Sequence, residues 1–245
     1  RDFLDNAQLD TGDMMDYLST FKGRSGTACP GPDGWMNAFA GADEIFVVTI
    51  TSGLSGTYGS AMAAKDLYEQ VHPKVKIHVF DSLSTGPEMQ LLIEKLASLL
   101  DTDLSFEEIR DAGEAYLRST RMFFSLQSLH NLAQNGRVNK LVAGAIGILN
   151  IRILATASPE GTIAPVEKCR GEKKAQSAMA AKMLEAGYKG GKVRIHHAKN
   201  PETAQAVKAA LLEKFPAADI EIGTCRGLCS YYAERGGVLT AFETA

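Results

Sequence analysis

Six consecutive residues, Ser52-Gly53-Leu54-Ser55-Gly56-Thr57, crowd three hydroxyls and two glycines together. Hydroxyls, free backbone N–H groups and small residues hold an anion when they share the start of a helix. Gly53 and Gly56 would let a ligand approach the backbone, and Ser52, Ser55 and Thr57 would add hydroxyl donors. A second polar turn, Asp81-Ser82-Leu83-Ser84-Thr85-Gly86, has the same texture. Together they suit a small carboxylate or phosphate. The plain alternative is that these hydroxyls only cap helices.

Catalytic spellings fail at the first turn. A nucleophile elbow needs G-x-S-x-G, and here the second glycine comes one place early. A phosphate-binding P-loop needs G-x-x-x-x-G-K-[ST], and Ser60 stands where the lysine belongs. The dinucleotide pattern G-x-G-x-x-G is missing. A nucleophilic serine also needs a base. His72, His78, His130, His196 and His197 sit in no recognisable motif. No catalytic residue is assigned, and binding outranks catalysis. Cys225 and Cys229 lie four apart without nearby histidines, which is not a zinc pattern, so no metal site is expected. Two basic features remain. Lys168-Cys169-Arg170-Gly171-Glu172-Lys173-Lys174 marks a strand-to-helix junction, or simply a solvated helix start. In Gly136-Arg137-Val138-Asn139-Lys140, Arg137 would anchor two halves of the chain or face water.

The elements around these turns follow from periodicity. Ile45 to Ile50 is a continuous β-branched and aromatic run, which reads as a strand buried on both faces. A helix from Tyr58 to Tyr68, a strand from Val75 to Phe80 and a helix from Pro87 to about Leu100 follow it. Asp13 would cap a helix from Met14 to Phe21, and Ser105 another with Glu107 and Glu108 near its positive end. Lys22 to Gly34 mixes glycines with Pro30 and Pro32 and reads as a loop, with a short helix near Trp35 to Ala40 after it. This alternation implies a parallel sheet with both polar turns at the carboxyl ends of its strands, where ligands sit.

From about Arg121 the texture changes. Phe123 and Phe124 start a strand, Leu126 to Leu132 look helical, and Val142 to Leu149 alternate small and branched residues. Strands are expected at Ile151–Thr156, Thr162–Glu167, Lys192–His197, Asp219–Gly223 and Val238–Phe242. Helices are expected at Glu172–Ala186 and Pro201–Phe215. The fold class is therefore α/β with two domains: residues 1–119 a parallel-sheet domain, residues 120–245 a mixed α/β layer domain.

Composition narrows the function. Lys plus Arg number 26 and Asp plus Glu 29, a net charge of −3, which argues against nucleic acid as the main partner. No run of 18 apolar residues is present to insert stably in a bilayer. The opening Arg1-Asp2-Phe3-Leu4-Asp5 lacks an apolar core, so no signal peptide is expected. Four cysteines in 245 residues form no disulfide framework and fit a reducing cytoplasm.

These motifs resemble the DegV family, bacterial fatty-acid-binding proteins of which several act as the FakB subunit of a fatty acid kinase. The family's T-S-Q-P is similar to Thr27-Ala28-Cys29-Pro30. Its S-S-x-L-S-G-T-Y is similar to Thr51-Ser52-Gly53-Leu54-Ser55-Gly56-Thr57-Tyr58. Its D-S or D-T turn matches Asp81-Ser82, and G-G-R-V-S-K matches Asn135 to Lys140. A basic strand residue matches Arg152 between Ile151 and Ile153, and R-G-x-K-K-A matches Arg170 to Ala175 in full. The chain departs from the family at two places. It shows no first strand ending in T-D-S, and the histidine of H-x-G-P-G falls on Ala233, just after Tyr231 and Tyr232.

The resemblance implies a carrier without a cofactor. It would hold a long-chain fatty acid in a groove between the two domains and present the carboxylate to a separate kinase subunit. Residues 1–119 would carry the headgroup loops and residues 120–245 would cover the acyl chain. Thr27 and Ser55 would hold the carboxylate, backed by Ser52, Gly53, Thr57, Asp81 and Ser82. Arg170, Lys173 and Lys174 would meet the kinase. The rivals are an acyl or phosphoryl transferase using Ser55 as nucleophile, and a divergent module that binds no lipid.

Overall fold

The computed structural model describes residues 1–138 and 150–244. The expected alternation over Val142–Leu149 and the Asn139–Lys140 end of the arginine turn lie outside the described residues. The chain begins with α1 (Thr11–Thr20), α2 (Pro32–Phe39), β1 (Glu44–Thr49), α3 (Thr57–Val71), β2 (Lys76–Asp81), α4 (Pro87–Leu100) and α5 (Phe106–Arg118). It continues through β3 (Thr120–Leu126), α6 (His130–Gln134), β4 (Ile151–Ala157), β5 (Ile163–Arg170), α7 (Glu172–Glu185) and β6 (Val193–His197). The last elements are α8 (Pro201–Lys214), β7 (Ile220–Thr224), α9 (Gly227–Ala233) and β8 (Val238–Glu243).

β1 and β2 pair in parallel, from Glu44 opposite Lys76 to Thr49 opposite Asp81. Both strands therefore end at the same edge, and the two polar turns lie side by side. A backbone bond from the Thr51 N–H to the Ser84 carbonyl (2.9 Å) locks them together. The second sheet is mixed, in the order β5-β4-β3-β8-β6-β7. Its β6–β7 pair is parallel and the other pairs are antiparallel.

Alternation along β3 serves two cores at once. Phe123 points to the layer of α7 and α8, where it packs in a cluster with Met179, Val207 and Phe242. Met122, Phe124 and Leu126 face the other way, toward the first sheet, in a cluster with Leu91 and Leu239. Met14 and Met15 of α1 join that second cluster, so the first helix packs with the core of the six-stranded sheet.

Helix α4 joins the two sheets. Leu92 packs against Phe80 of the first sheet, and Leu91 against the core of the second. Polar bonds pin the same helix to the larger sheet. The Thr120 hydroxyl donates to Glu88 (2.7 Å), His196 Nε2 meets Gln90 Oε1 (2.7 Å), and Arg194 donates twice to Glu94 (2.7 and 2.6 Å). From the neighbouring α5, the Tyr116 hydroxyl donates to Glu243 (2.7 Å).

Three local expectations are corrected. α1 starts at Thr11, and its cap is Asp10, whose carboxylate accepts from the Gly12 and Asp13 N–H groups, not Asp13. Leu126 ends a strand, and only His130–Gln134 of the expected Leu126–Leu132 stretch and its flank is helical. Helix α9 was not expected from the sequence. Ser105 does cap α5, and Glu108 returns the bond to complete a capping box.

Burial at this joint pushes the His196 imidazole down from its usual value to about 4, with the nearby His197 adding to the shift. Below pH 6.5 the unfolded chain takes up a proton that the folded chain refuses. Stability is therefore full above that pH and falls as pH drops through the window from 6.5 to about 4. Wild-type stability is expected to decline by about 1–2 kcal/mol between pH 7 and pH 5 through this group. Urea unfolding across that range checks it, because the His196→Gln variant should lose that part of the slope.

Candidate functional site

The edge where β1 and β2 end opens onto a cavity between the two sheets, with about 800 Å³ of open space. Its wall is apolar, built from Met122, Phe124 and Leu126 of β3, Ile163 of β5, Leu132 of α6 and Leu239 of β8. Thr27, Ser55, Arg137 and Tyr232 bring hydroxyls and a guanidinium to the same cavity. Among the described residues no Asp or Glu lines it. A negative head with an apolar body is the complement of such a lining.

The hydroxyls are held in pairs. The Ser55 hydroxyl lies 2.8 Å from the Thr57 hydroxyl and accepts the Thr57 N–H at 3.3 Å. Ser55 thus precedes the cap residue Gly56, takes the first N–H of α3 and also lines the cavity. Among the described residues no histidine, lysine or carboxylate is bonded to Ser55. The Thr27 hydroxyl meets the Tyr232 hydroxyl at 2.8 Å. Tyr231, next in the chain, bonds Ser25 (2.7 Å) and Asn135 (3.0 Å) through its own hydroxyl. The tyrosine doublet thus holds the loop between α1 and α2 at two points, and that loop ends at Gly31 rather than Gly34 because Pro32 already opens α2.

Arg137 links the halves of the chain, as one of its two sequence readings required. Its Nε donates to the Leu54 carbonyl (3.3 Å) and one Nη to the Asn135 carbonyl (2.6 Å). The guanidinium thus fixes the turn that carries Ser55.

The structure separates the other expected ligand residues from the cavity lining. Asp81 accepts the Ser52 N–H (3.0 Å) and the Leu83 N–H (3.2 Å), so its carboxylate builds the two turns. Ser82 folds back on Ser84, donating to its carbonyl (3.1 Å) and accepting its N–H (3.2 Å). Thr57 reaches the site only through Ser55. Gly53 is a glycine for a reason other than ligand approach. A Cβ there would stand 2.4 Å from the Glu160 carbonyl oxygen, in the turn between β4 and β5. The missing side chain lets that hairpin close on the first turn, where the Thr51 hydroxyl donates to the Gly161 carbonyl (2.8 Å).

Arg170, Lys173 and Lys174 are exposed at the junction of β5 and α7, outside the cavity lining. Lys174 lies 3.6 Å from Glu167. Among the described residues no three of His, Cys, Asp and Glu converge as a metal would need, and no helix is long and apolar enough to cross a membrane. Cys225 and Cys229 are free thiols, and burial pushes both above the usual thiol range. Such protonated thiols are poor nucleophiles.

Sequence reasoning missed Tyr232 and Cys229, which α9 places against the cavity. The one available signal was the doublet Tyr231-Tyr232 beside the position where the family histidine falls. The helix itself carries no side-chain cap of its own. Its first N–H groups, at Gly227 and Leu228, are taken by the two carboxylate oxygens of Asp5, both at 2.8 Å. No local pattern announces a cap supplied from the other end of the chain.

The comparisons with known proteins agree with this architecture. The model of the DegV family, described as an uncharacterised protein family, matches residues 1–243. A DegV domain-containing protein of Streptococcus gordonii is 46% identical over 241 residues, covering 98% of this chain and 86% of its own. A DegV family protein from Eubacterium eligens loaded with heptadecanoic acid superposes with a TM-score of 0.97 at 49% identity, covering 100% of this chain and 89% of its own. The Streptococcus pneumoniae Fatty Acid Kinase (Fak) B3 protein loaded with linoleic acid gives a TM-score of 0.97 at 44% identity, covering 99% of this chain and 86% of its own.

Proposed function

Because the chain belongs to the DegV family, we propose that it carries a long-chain fatty acid between its two sheets and presents the carboxylate to a separate kinase subunit. The observation that carries this reading is the cavity itself, apolar along β3 and β8 and ringed with hydroxyls and a guanidinium. Thr27, Ser55 and Tyr232 hold the carboxylate through their hydroxyls, and Arg137 supplies positive charge beside them. Tyr232 stands one residue before Ala233, where the family pattern has its histidine, and provides a donor from the same helix. Asp81, Ser52, Gly53, Ser82 and Thr57 act one step back by shaping the turns.

The tail supplies most of the affinity. Each buried methylene contributes roughly 0.8 kcal/mol, so a long chain needs few polar contacts. Within this division of labour, residues 1–119 carry the headgroup turns and residues 120–245 the acyl wall. On this reading the phosphoryl transfer belongs to the partner, and Ser55, bonded to Thr57 and to no base among the described residues, serves as a ligand contact.

Mass spectrometry of an organic extract of the purified protein tests the reading. A long-chain acid near one equivalent is expected. Protein that yields none, and takes up none when incubated with hexadecanoic or linoleic acid, would overturn it.

Arg170, Lys173 and Lys174 form the face offered to the kinase, since an exposed basic cluster outside the cavity suits an encounter between proteins. Arg170→Ala is expected to weaken complex formation, with the loss growing at higher salt. If lipid retention fell while complex formation held, the assignment would be reversed.

A further inference from the structure

The two polar turns contain hydroxyls of two kinds. Those of Thr51 and Ser82 close on the backbone. Thr51 donates to the Gly161 carbonyl and accepts the Gly53 N–H, while Ser82 bonds Ser84 in both directions. Ser84 and Thr85 behave differently. Ser84 is 3% exposed and lines the cavity, with its hydroxyl 3.9 Å from the Met122 sulfur and also hydrogen-bonded to Glu88. The Thr85 hydroxyl meets the Cys229 sulfur at 3.4 Å, and that thiol is protonated and cavity-lining too. Sulfur is a weak partner, and each hydroxyl oxygen can accept two hydrogen bonds. Among the described residues no N–H or O–H donor reaches either oxygen. Glu88, one turn further on, takes the Ser84 and Thr120 hydroxyls as donors, which partly offsets the rise that burial gives its carboxyl.

We propose that Ser84 and Thr85 form a second polar subsite within the cavity, one that accepts a hydroxyl on the acyl chain near its carboxyl end. The proposal rests on the carrier reading above and names its cargo more closely, as a hydroxylated fatty acid. Placement follows from α9. Cys229 precedes Tyr232 by three residues, which is about 4.5 Å along a helix axis. On this proposal, the first carbons of a chain whose carboxylate is held by Thr27 and Tyr232 pass Thr85 and Ser84, which line the same cavity. A hydroxyl there would be costly against an apolar wall alone, because it gives up water for no partner. Against two oxygens with free lone pairs it makes the bond it loses. The sulfur contacts let the same site accept a plain chain, since neither hydroxyl is then left without any partner.

Competition binding on the full chain tests this with hexadecanoic acid and its β-hydroxy and ω-hydroxy derivatives. One added hydrogen bond corresponds to about threefold to tenfold in affinity. The β-hydroxy acid is expected to bind that much more tightly than the plain acid, and the ω-hydroxy acid more weakly. In the Ser84→Ala/Thr85→Val variant the ratio of β-hydroxy to plain affinity should fall below one. This ratio is internal to each protein, and the wild-type value decides even if the variant folds poorly. A wild-type ratio below one, with the plain acid bound, would overturn the subsite and leave the carrier reading standing. An ω-hydroxy acid that binds as tightly as the β-hydroxy acid would overturn the placement. No binding of any of the three acids would overturn the carrier reading itself.

Discussion

Arg194→Ala is expected to lower the unfolding free energy by about 3 kcal/mol, measured by urea denaturation at neutral pH. Arg194 is 5% exposed and clamps Glu94 of α4 with two parallel bonds, while it also reaches Asp219 beside β7. The Glu94 bonds are the main cause raising the guanidinium further above its already high ordinary pKa. Removing one partner of such a set leaves the carboxylates crowded without their counter-charge. The loss sits at the lower end of the roughly 3–5 kcal/mol seen for broken buried pairs, because Glu94 keeps some contact with water. Arg194→Lys should recover only part of it, since an ammonium cannot make the forked contact. The consequence extends to the cavity. Helix α4 sets how the first sheet lies on the second, so the alanine variant should also bind its ligand more weakly. A shift below about 1 kcal/mol would mean that the apolar seam around Leu91 and Leu92 holds the joint without help.

The fold was legible wherever the periodic signal was long. The run Ile45 to Ile50 and the capping box at Ser105 mark their elements because local residues decide them. The same holds for Pro87, which opens α4 at its first position. The paired turns were legible for a related reason: two parallel strands must end at one edge, and the polar clusters follow directly after them. What escaped was set by partners distant in sequence. Helix α9 depends on Asp5 for its cap, and Thr27 depends on Tyr232 for its place at the cavity. Gly53 was read as a site for ligand approach, yet what comes close is the Glu160 carbonyl. A glycine in a turn announces a close approach and is silent about what approaches. Asp81 and Ser82 illustrate the same limit, since short polar side chains satisfy their own backbone as readily as a ligand.

Removing single hydroxyls from the cavity is expected to weaken fatty-acid binding by roughly ten- to a hundredfold each, the equivalent of about 1.5–3 kcal/mol for one bond to a charged group. Three substitutions separate ligand contact from fold. Ser55→Ala removes a hydroxyl that also accepts the Thr57 N–H, so part of its effect is a lost turn bond. Thr27→Val keeps the shape of an exposed side chain and removes only the partner of Tyr232. Tyr232→Phe is the most direct of the three, because the ring stays packed against Tyr231 while its hydroxyl is lost. Titration with a long-chain acid and with its methyl ester distinguishes the two ways the variants can act. A hydroxyl that holds a carboxylate contributes little to an ester, so the wild type should prefer the acid and the variants should lose that preference. The apolar wall is untouched in all three, and binding of the ester should change much less than binding of the acid. Equal losses for acid and ester would mean that the hydroxyls only hold the loop between α1 and α2 over the cavity. Wild-type affinity for the acid in all three variants would place the carboxylate elsewhere, with Arg137 as the remaining cation that lines the cavity among the described residues.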